Sequence, residues 1–326
     1  MPNEIIEGYR LSPQQEHLWL LQGDDPRTPY RALCAINIEG RLNPEILRAA
    51  LQRVVERQEI LRTTFQLLSA MTLPVQVISE GCVATLDVHD LTEEEPPRQA
   101  RSLEELWQKH RDEPFDFGEV PLLNLSLAVL SADRHVLIIS LPTLCTDMAA
   151  LNNLTREISL AYAENSGEAE LATAPMQYAD VAEILNELIE SEGTKTGREY
   201  WQNKSFPPLQ EMKLAGETRP VNDSGFDPQM FSATLAAGTC VSIEQLARQF
   251  QTTTEVVLLA VWQALIHRLT GQEDIIVNAL YDCRSHEELS ESFGLFARHL
   301  PVDTSFTADT SFSALLPRLE QTTREI

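Results

Sequence analysis

Residues 143–147 include three side chains that are candidates for chemistry. Thr143 carries a hydroxyl, Cys145 a thiol and Asp147 a carboxylate. A thiol becomes a strong nucleophile when a neighbouring base takes its proton, but no histidine is close to Cys145 in the sequence, and a buried cysteine usually acts as a small apolar side chain. The Thr143 hydroxyl forms hydrogen bonds and is not a base near pH 7. These residues therefore favour substrate positioning over proton transfer.

A predicted strand and a predicted helix hold these side chains. Residues 136–141 form a continuous apolar run that ends at Pro142, which is typical of a buried strand. After Asp147, apolar residues recur three and four positions apart and predict one buried helix face: Met148, Leu151, Leu154, Ile158 and Ala161. Asp147 suits the N-cap, where a carboxylate accepts backbone N–H bonds.

Composition excludes several classes of protein. The 326-residue chain has a net charge of −24, which argues against a nucleic-acid or anionic membrane surface as partner. We see neither a signal peptide nor an apolar run long enough to span a bilayer. The five cysteines are scattered without C-x-x-C spacing, so we expect no metal site, no disulfide framework and a cytoplasmic location.

The remaining elements alternate between helices and strands, as in an α/β fold. Helices are predicted to begin at residues 13 and 44, residues 103–110 are predicted to be part of a helix, and strands are predicted over 32–38, 75–79 and 84–89. Residues 91–102 are expected to be a solvated loop or the approach to a helix, and 165–175 a linker. The helix over 256–269 is apolar nearly all round, so we expect it in the middle of a second lobe.

The segment from Pro142 to Met148 resembles the signature of condensation domains from nonribosomal peptide synthetases. That signature is a strand ending in His-His, three variable residues and Asp-Gly. Here Pro142 and Thr143 take the two histidine positions and Met148 the glycine position, while Asp147 matches.

Further family motifs follow in the correct order. Residues 11–15 resemble the opening Leu-Ser-x-x-Gln, residues 57–65 the motif Arg-His-Glu-x-Leu-Arg-Thr-x-Phe, and residues 271–277 the segment Gly-Gln-Glu-Asp-Val-Val-Val. Residues 292–302 resemble Gly-x-Phe-Val-Asn-Thr-Leu-Pro, with Arg298 and His299 at its Asn and Thr. Because the last two family motifs are absent, the second lobe is expected to be incomplete.

The resemblance implies two lobes of the chloramphenicol-acetyltransferase type, each a mixed sheet with flanking helices. They form a V-shaped pseudo-dimer with a central tunnel, into which carrier proteins deliver substrates on phosphopantetheine arms. On this chain, residues 1–165 are the expected first lobe and residues 176–326 the second. No directly bound cofactor is implied, since the phosphopantetheine arm enters as part of the substrate.

The resemblance also implies the site residues. The family's catalytic histidine position is Thr143, and His299 is the one histidine whose position would allow it to replace the lost imidazole. Asp147 is expected to be structural and to pair with Arg62, because a buried carboxylate needs a partner. Four further residues are assigned to the substrate tunnel: Pro142, Cys145, Met148 and Arg298.

Two functions of different class remain open. One is a variant enzyme that forms an amide or ester bond between carrier-bound substrates. The other is a binding module that presents a carrier-bound substrate to a tailoring enzyme acting in trans, and loss of the signature histidine is typical of this second kind. Carrier proteins and an adjacent adenylation domain are the implied partners in both cases. Acetylation of a small molecule is disfavoured, because that activity also uses the missing histidine.

Overall fold

The computed structural model describes residues 7–22, 30–68, 71–165, 175–207, 214, 216 and 231–326. The chain forms two compact units. One comprises Met1–Lys195 with Asp282–Ala297, and the other Thr196–Tyr281 with Arg298–Ile326. The lobe boundaries predicted from the sequence stay a prediction, and residues 166–174 of the predicted linker lie outside the described residues.

The first unit is a mixed α/β structure. Its strands are β1 (Arg31–Glu39), β2 (Thr63–Gln66), β3 (Val75–Ile78), β4 (Leu86–Asp90), β5 (Asn124–Ser131) and β6 (Arg134–Pro142). Its helices are α1 (Pro13–Gln22), α2 (Pro44–Arg57), α3 (Pro96–Asp112), α4 (Met148–Asn165) and α5 (Tyr178–Glu190). Four strands form one sheet in the order β1-β6-β5-β4, in which β4 and β5 run parallel and the other pairs antiparallel. Strands β2 and β3 form a separate antiparallel ladder.

Both faces of β6 are buried, which explains its continuous apolar sequence. Because side chains alternate along a strand, Leu137 and Ile139 join the main core with α2 and α4, while Ile138 joins a smaller cluster with α3. The strand predicted over 136–141 is therefore confirmed. The expectation of a loop or helix approach over 91–102 is wrong from Pro96 onwards, because α3 already begins at this residue, whose type is favoured in the first helical turn.

The second unit is built around a central helix and one strand pair. It contains α6 (Lys195–Asn203), α7 (Ala237–Gln249), α8 (Thr254–Thr270) and α9 (Phe312–Glu325), with β7 (Asp274–Tyr281) and β8 (Arg298–Ser305) paired antiparallel. Helix α8 packs against α7, α9 and β7 through one face, which includes Val257 and Ala260.

The expectation that α8 lies in the middle of its lobe holds for only one face of the helix within the described residues. Val261 is 50% and Trp262 54% exposed on the face of α8 away from its neighbours in this unit. In the described part of the chain, no helix has both the length and the apolar character that crossing a membrane would require.

Candidate functional site

The candidate site lies where β6 passes into α4. The strand ends at Pro142, a short 3-10 turn covers Thr143–Cys145, and α4 begins at Met148. The Thr143 N–H donates to the carbonyl of Tyr30 at 2.8 Å, and the Thr143 carbonyl accepts from the N–H of Thr146 at 3.2 Å. These bonds fix the backbone of Thr143, whose side chain is half-buried at the strand end.

The carboxylate of Asp147 is buried and accepts five hydrogen bonds. Its Oδ1 accepts from the N–H of Ala150 at 2.8 Å, which confirms the predicted N-cap, and from Nη2 of Arg284 at 3.0 Å. Its Oδ2 accepts from Nη1 of Arg284 at 3.0 Å and from the N–H groups of Phe296 and Ala297 at 2.9 and 3.0 Å. A carboxylate that accepts this many hydrogen bonds is fixed in position, so Asp147 holds the local structure together.

Arg284 fixes the segment 282–297 as well as Asp147. Its guanidinium lies 4.1 Å from the ring centroid of Phe296 and donates to the carbonyls of Ser292 and Gly294, both at 3.3 Å. It also pairs with Asp282. The planar guanidinium suits this site because its donors reach several acceptors at once while its face stacks on a ring.

The predicted pairing of Asp147 with Arg62 is wrong. Arg62 donates to the carbonyl of Ser79 at 2.8 Å and lies 3.4 Å from the Glu59 carboxylate, so its guanidinium is occupied locally. A buried carboxylate needs a cation, but the sequence does not indicate which arginine supplies it. Arg284 was missed because it lies outside the motifs that carried the resemblance.

Cys145 belongs to the core. Its side chain is 0% exposed among apolar residues, and burial raises the pKa of its thiol. Its assignment to the tunnel wall is therefore wrong, because a core side chain does not line an open surface. Pro142 is also buried, whereas Met148 is 67% exposed and remains a candidate for substrate contact.

A buried polar network supports the turn from α1. Gln15, 0% exposed, donates from Nε2 to the carbonyl of Leu144 at 2.9 Å and to Oε1 of Gln76 at 3.1 Å. Its Oε1 accepts from the N–H of Ser12 at 2.9 Å. The Ser12 hydroxyl in turn bonds the Tyr178 hydroxyl at 2.8 Å. The opening motif thus contacts the signature turn directly, which the sequence did not predict.

A second buried cluster lies between α3 and the sheet. His110 is 2% exposed, and its Nε2 lies 2.7 Å from the Ser126 hydroxyl. The Arg31 guanidinium contacts the His110 carbonyl and the Ser140 hydroxyl. Burial lowers the pKa of His110, and nearby charges act in both directions: Lys109 and Arg31 lower it, Glu113 and Asp87 raise it.

His299 and Arg298 lie on β8 in the second unit. His299 is exposed opposite Leu280, and Arg298 is half-buried. Their assignment to the site stays a prediction. Among the residues that the structure describes, no cluster of His, Cys, Asp or Glu is placed to hold a metal ion.

Comparison with known proteins supports the resemblance along the whole chain. The family model of the condensation domain matches residues 5–326. One plipastatin synthase subunit of Bacillus subtilis (strain 168) is 30% identical over 326 residues, which cover 99% of this chain and 12% of that protein. The chain thus spans about an eighth of the length of this relative.

Solved structures with the same fold include an X-domain. The X-domain from teicoplanin biosynthesis is 26% identical, with a TM-score of 0.79 over 98% of this chain and 70% of that one. A complex of the X-domain and OxyB from teicoplanin biosynthesis matches with 24% identity and a TM-score of 0.77, again over 98% and 70% of the two chains.

Proposed function

The chain belongs to the condensation domain family of nonribosomal peptide synthetases, and on this premise we propose that it binds acyl or aminoacyl thioesters tethered to carrier proteins by phosphopantetheine. We propose further that it forms amide bonds slowly or not at all, and that it presents the bound substrate to a tailoring enzyme acting in trans. Its other partners are then carrier proteins and an adjacent adenylation domain, in the cytoplasm.

The observation that carries this proposal is Thr143 at the position of the family's catalytic histidine. Its backbone is fixed at the end of β6 and its side chain is half-buried. A hydroxyl can orient an amine or a thioester oxygen, but it does not accept a proton near pH 7. Loss of a general base costs about 10²–10⁴-fold in rate. The solved complex of an X-domain with OxyB gives a precedent for a member of this fold that binds another protein.

An active variant is the alternative. A neutral amine is already a nucleophile towards a thioester, and holding the two reactants together supplies roughly 7–11 kcal/mol of barrier reduction in ideal geometry. In this alternative, Thr143 or His299 orients the nucleophile. Attack of an amine on the thioester gives an amide, attack of an alcohol gives an ester, and either reaction releases the thiol of the phosphopantetheine arm. Because His299 on β8 is exposed, its role in this alternative can be tested by substitution.

The test uses the full-length protein with donor-loaded and acceptor-loaded carrier proteins, followed by mass spectrometry of the carrier-bound thioesters. Carrier binding without a condensed product supports the platform function. The platform function is overturned if the protein condenses at an ordinary rate that is lost in Thr143→Val and kept in His299→Ala. Thr143 is then the residue on which condensation depends. A rate lost in His299→Ala also overturns it and assigns the role to His299.

A further inference from the structure

We infer that Gln15 is a positioning residue, which fixes the carbonyl of Leu144 and thereby the direction in which Thr143 faces the substrate. The inference rests on the proposed function, since Thr143 is the residue proposed to contact the tethered substrate. Gln15 belongs to α1, and the strand, turn and helix that carry Thr143 and Asp147 are formed by residues far from it in the sequence.

The three hydrogen bonds of the Gln15 side-chain amide are compatible with only one orientation of its Oε1 and Nε2. Nε2 donates to the carbonyl of Leu144 at 2.9 Å and to Oε1 of Gln76 at 3.1 Å, while Oε1 accepts from the N–H of Ser12 at 2.9 Å. Reversing the amide would place Oε1 against two acceptors and Nε2 against a donor. Since the side chain is fully buried, water does not replace any of these partners.

Gln76 makes this support rigid. Its Nε2 donates to the carbonyl of Arg10 at 2.8 Å, which leaves Oε1 to face Gln15. Its backbone N–H and carbonyl pair with Tyr9, each at 2.8 Å, and the residue lies on β3. Gln15 therefore connects the Leu144 carbonyl to a residue of β3 whose own backbone N–H and carbonyl are both hydrogen-bonded.

The hydrogen bond from Gln15 to the Leu144 carbonyl constrains the turn that begins at Thr143, because the other side chains of this turn are buried. Leu144 and Cys145 are both 0% exposed, so the turn does not shift by moving either side chain. Without Gln15, the buried Leu144 carbonyl would lose its donor. The cost in free energy would be comparable to the desolvation penalty of an unsatisfied polar group. The peptide between Leu144 and Cys145 would rotate to recover a hydrogen bond, and the turn between Thr143 and the Thr146 N–H that closes onto its carbonyl would lose its single conformation.

The first test measures the turn directly by amide hydrogen exchange of the full chain. In Gln15→Leu we expect roughly tenfold faster exchange over residues 141–150, because one hydrogen bond to a buried carbonyl is lost. Gln263→Leu is the matched control. Gln263 is also 0% exposed and donates to a backbone carbonyl, that of Val302 at 2.9 Å, but it belongs to the second unit. Unchanged exchange in Gln15→Leu overturns the inference.

The second test measures binding of N-acetylglycyl-pantetheine thioester, a small probe for the tethered substrate. We expect a roughly tenfold higher Kd in Gln15→Leu and an unchanged Kd in Gln263→Leu. If Gln15→Leu does not fold, Gln15→Met, which has similar length and no donor, takes its place. Equal affinity of wild type and variant overturns the inference. Absence of probe binding to the wild type counts against the proposed function instead, and hydrogen exchange then decides on Gln15 alone.

Discussion

The carboxylate of Asp147 and the guanidinium of Arg284 meet through two hydrogen bonds of 3.0 Å, although 137 residues separate them in the sequence. Their side chains are only 4% and 3% exposed. Together with the N–H groups of Phe296 and Ala297, this pair fastens the segment 282–297 to the start of α4. Asp147 therefore has a structural role that does not depend on any catalytic histidine beside it.

Arg284→Met should destabilise the protein by about 3–5 kcal/mol, because it leaves the Asp147 carboxylate buried without its cation. The measurement is the free energy of unfolding in urea, followed by tryptophan fluorescence. Arg156→Gln is the matched control. It breaks another ion pair to this segment, with Glu291, but both of its side chains are 53% exposed, so we expect about 0–1 kcal/mol. Equal losses in the two variants would contradict the structural role of the buried pair.

Gly294→Ala should also be strongly destabilising. Gly294 has φ = +152°, and a Cβ there would overlap Cδ2 in the ring of the buried Tyr178. Backbone strain costs about 1–3 kcal/mol and overpacking a similar amount. The displaced ring would lose the bond from its hydroxyl to the Leu295 carbonyl, now 2.5 Å. Thermal unfolding measures the effect, with Gly197→Ala on α6 as control, because a Cβ added there would meet nothing within 4 Å. A Gly294→Ala protein as stable as the control would refute this interpretation.

Local features of the site could be predicted from the sequence because each depends on neighbouring residues. The apolar run 136–141 identified β6, and the spacing after Asp147 identified α4 and its N-cap. The motif order was sufficient for the family and the α/β fold, both of which the comparisons confirm.

Contacts between distant segments could not be predicted in the same way. Arg62 lies within a family motif and Arg284 outside the motifs, and only the folded chain determines which guanidinium reaches Asp147. Likewise, the composition of α8 shows that the helix is apolar. It does not show that Val261 and Trp262 lie on a face that no other described residue covers fully. Gln15 could be assigned to a family motif from the sequence, but the carbonyl to which its amide donates could not be predicted.

His110 should make stability depend on pH in the acidic range. Burial lowers the pKa of His110 in the folded state below its value of about 6.5 in the unfolded chain. Between these two values the unfolded state binds more protons, so stability is complete above about pH 6.5 and falls as the pH decreases towards the folded pKa. Urea unfolding of wild type and His110→Gln at pH 7.5 and 5.5 measures this. We expect the wild type to lose more stability on acidification than the variant, and parallel losses would show that His110 is not responsible.

Cys145 should be the slowest of the five cysteines to react with iodoacetamide in the native protein. The thiolate is the reactive form, and Cys145 is both 0% exposed and raised in pKa by burial. Cys240 and Cys283 are exposed and should be labelled first, which makes them internal controls in the same sample. Peptide mass spectrometry at pH 8, with and without urea, follows each site. We expect labelling of Cys145 to require unfolding, because its thiol lies in the core beside Leu144 and not on a surface that a substrate reaches. Rapid native labelling of Cys145 would instead restore it as a candidate nucleophile at the turn.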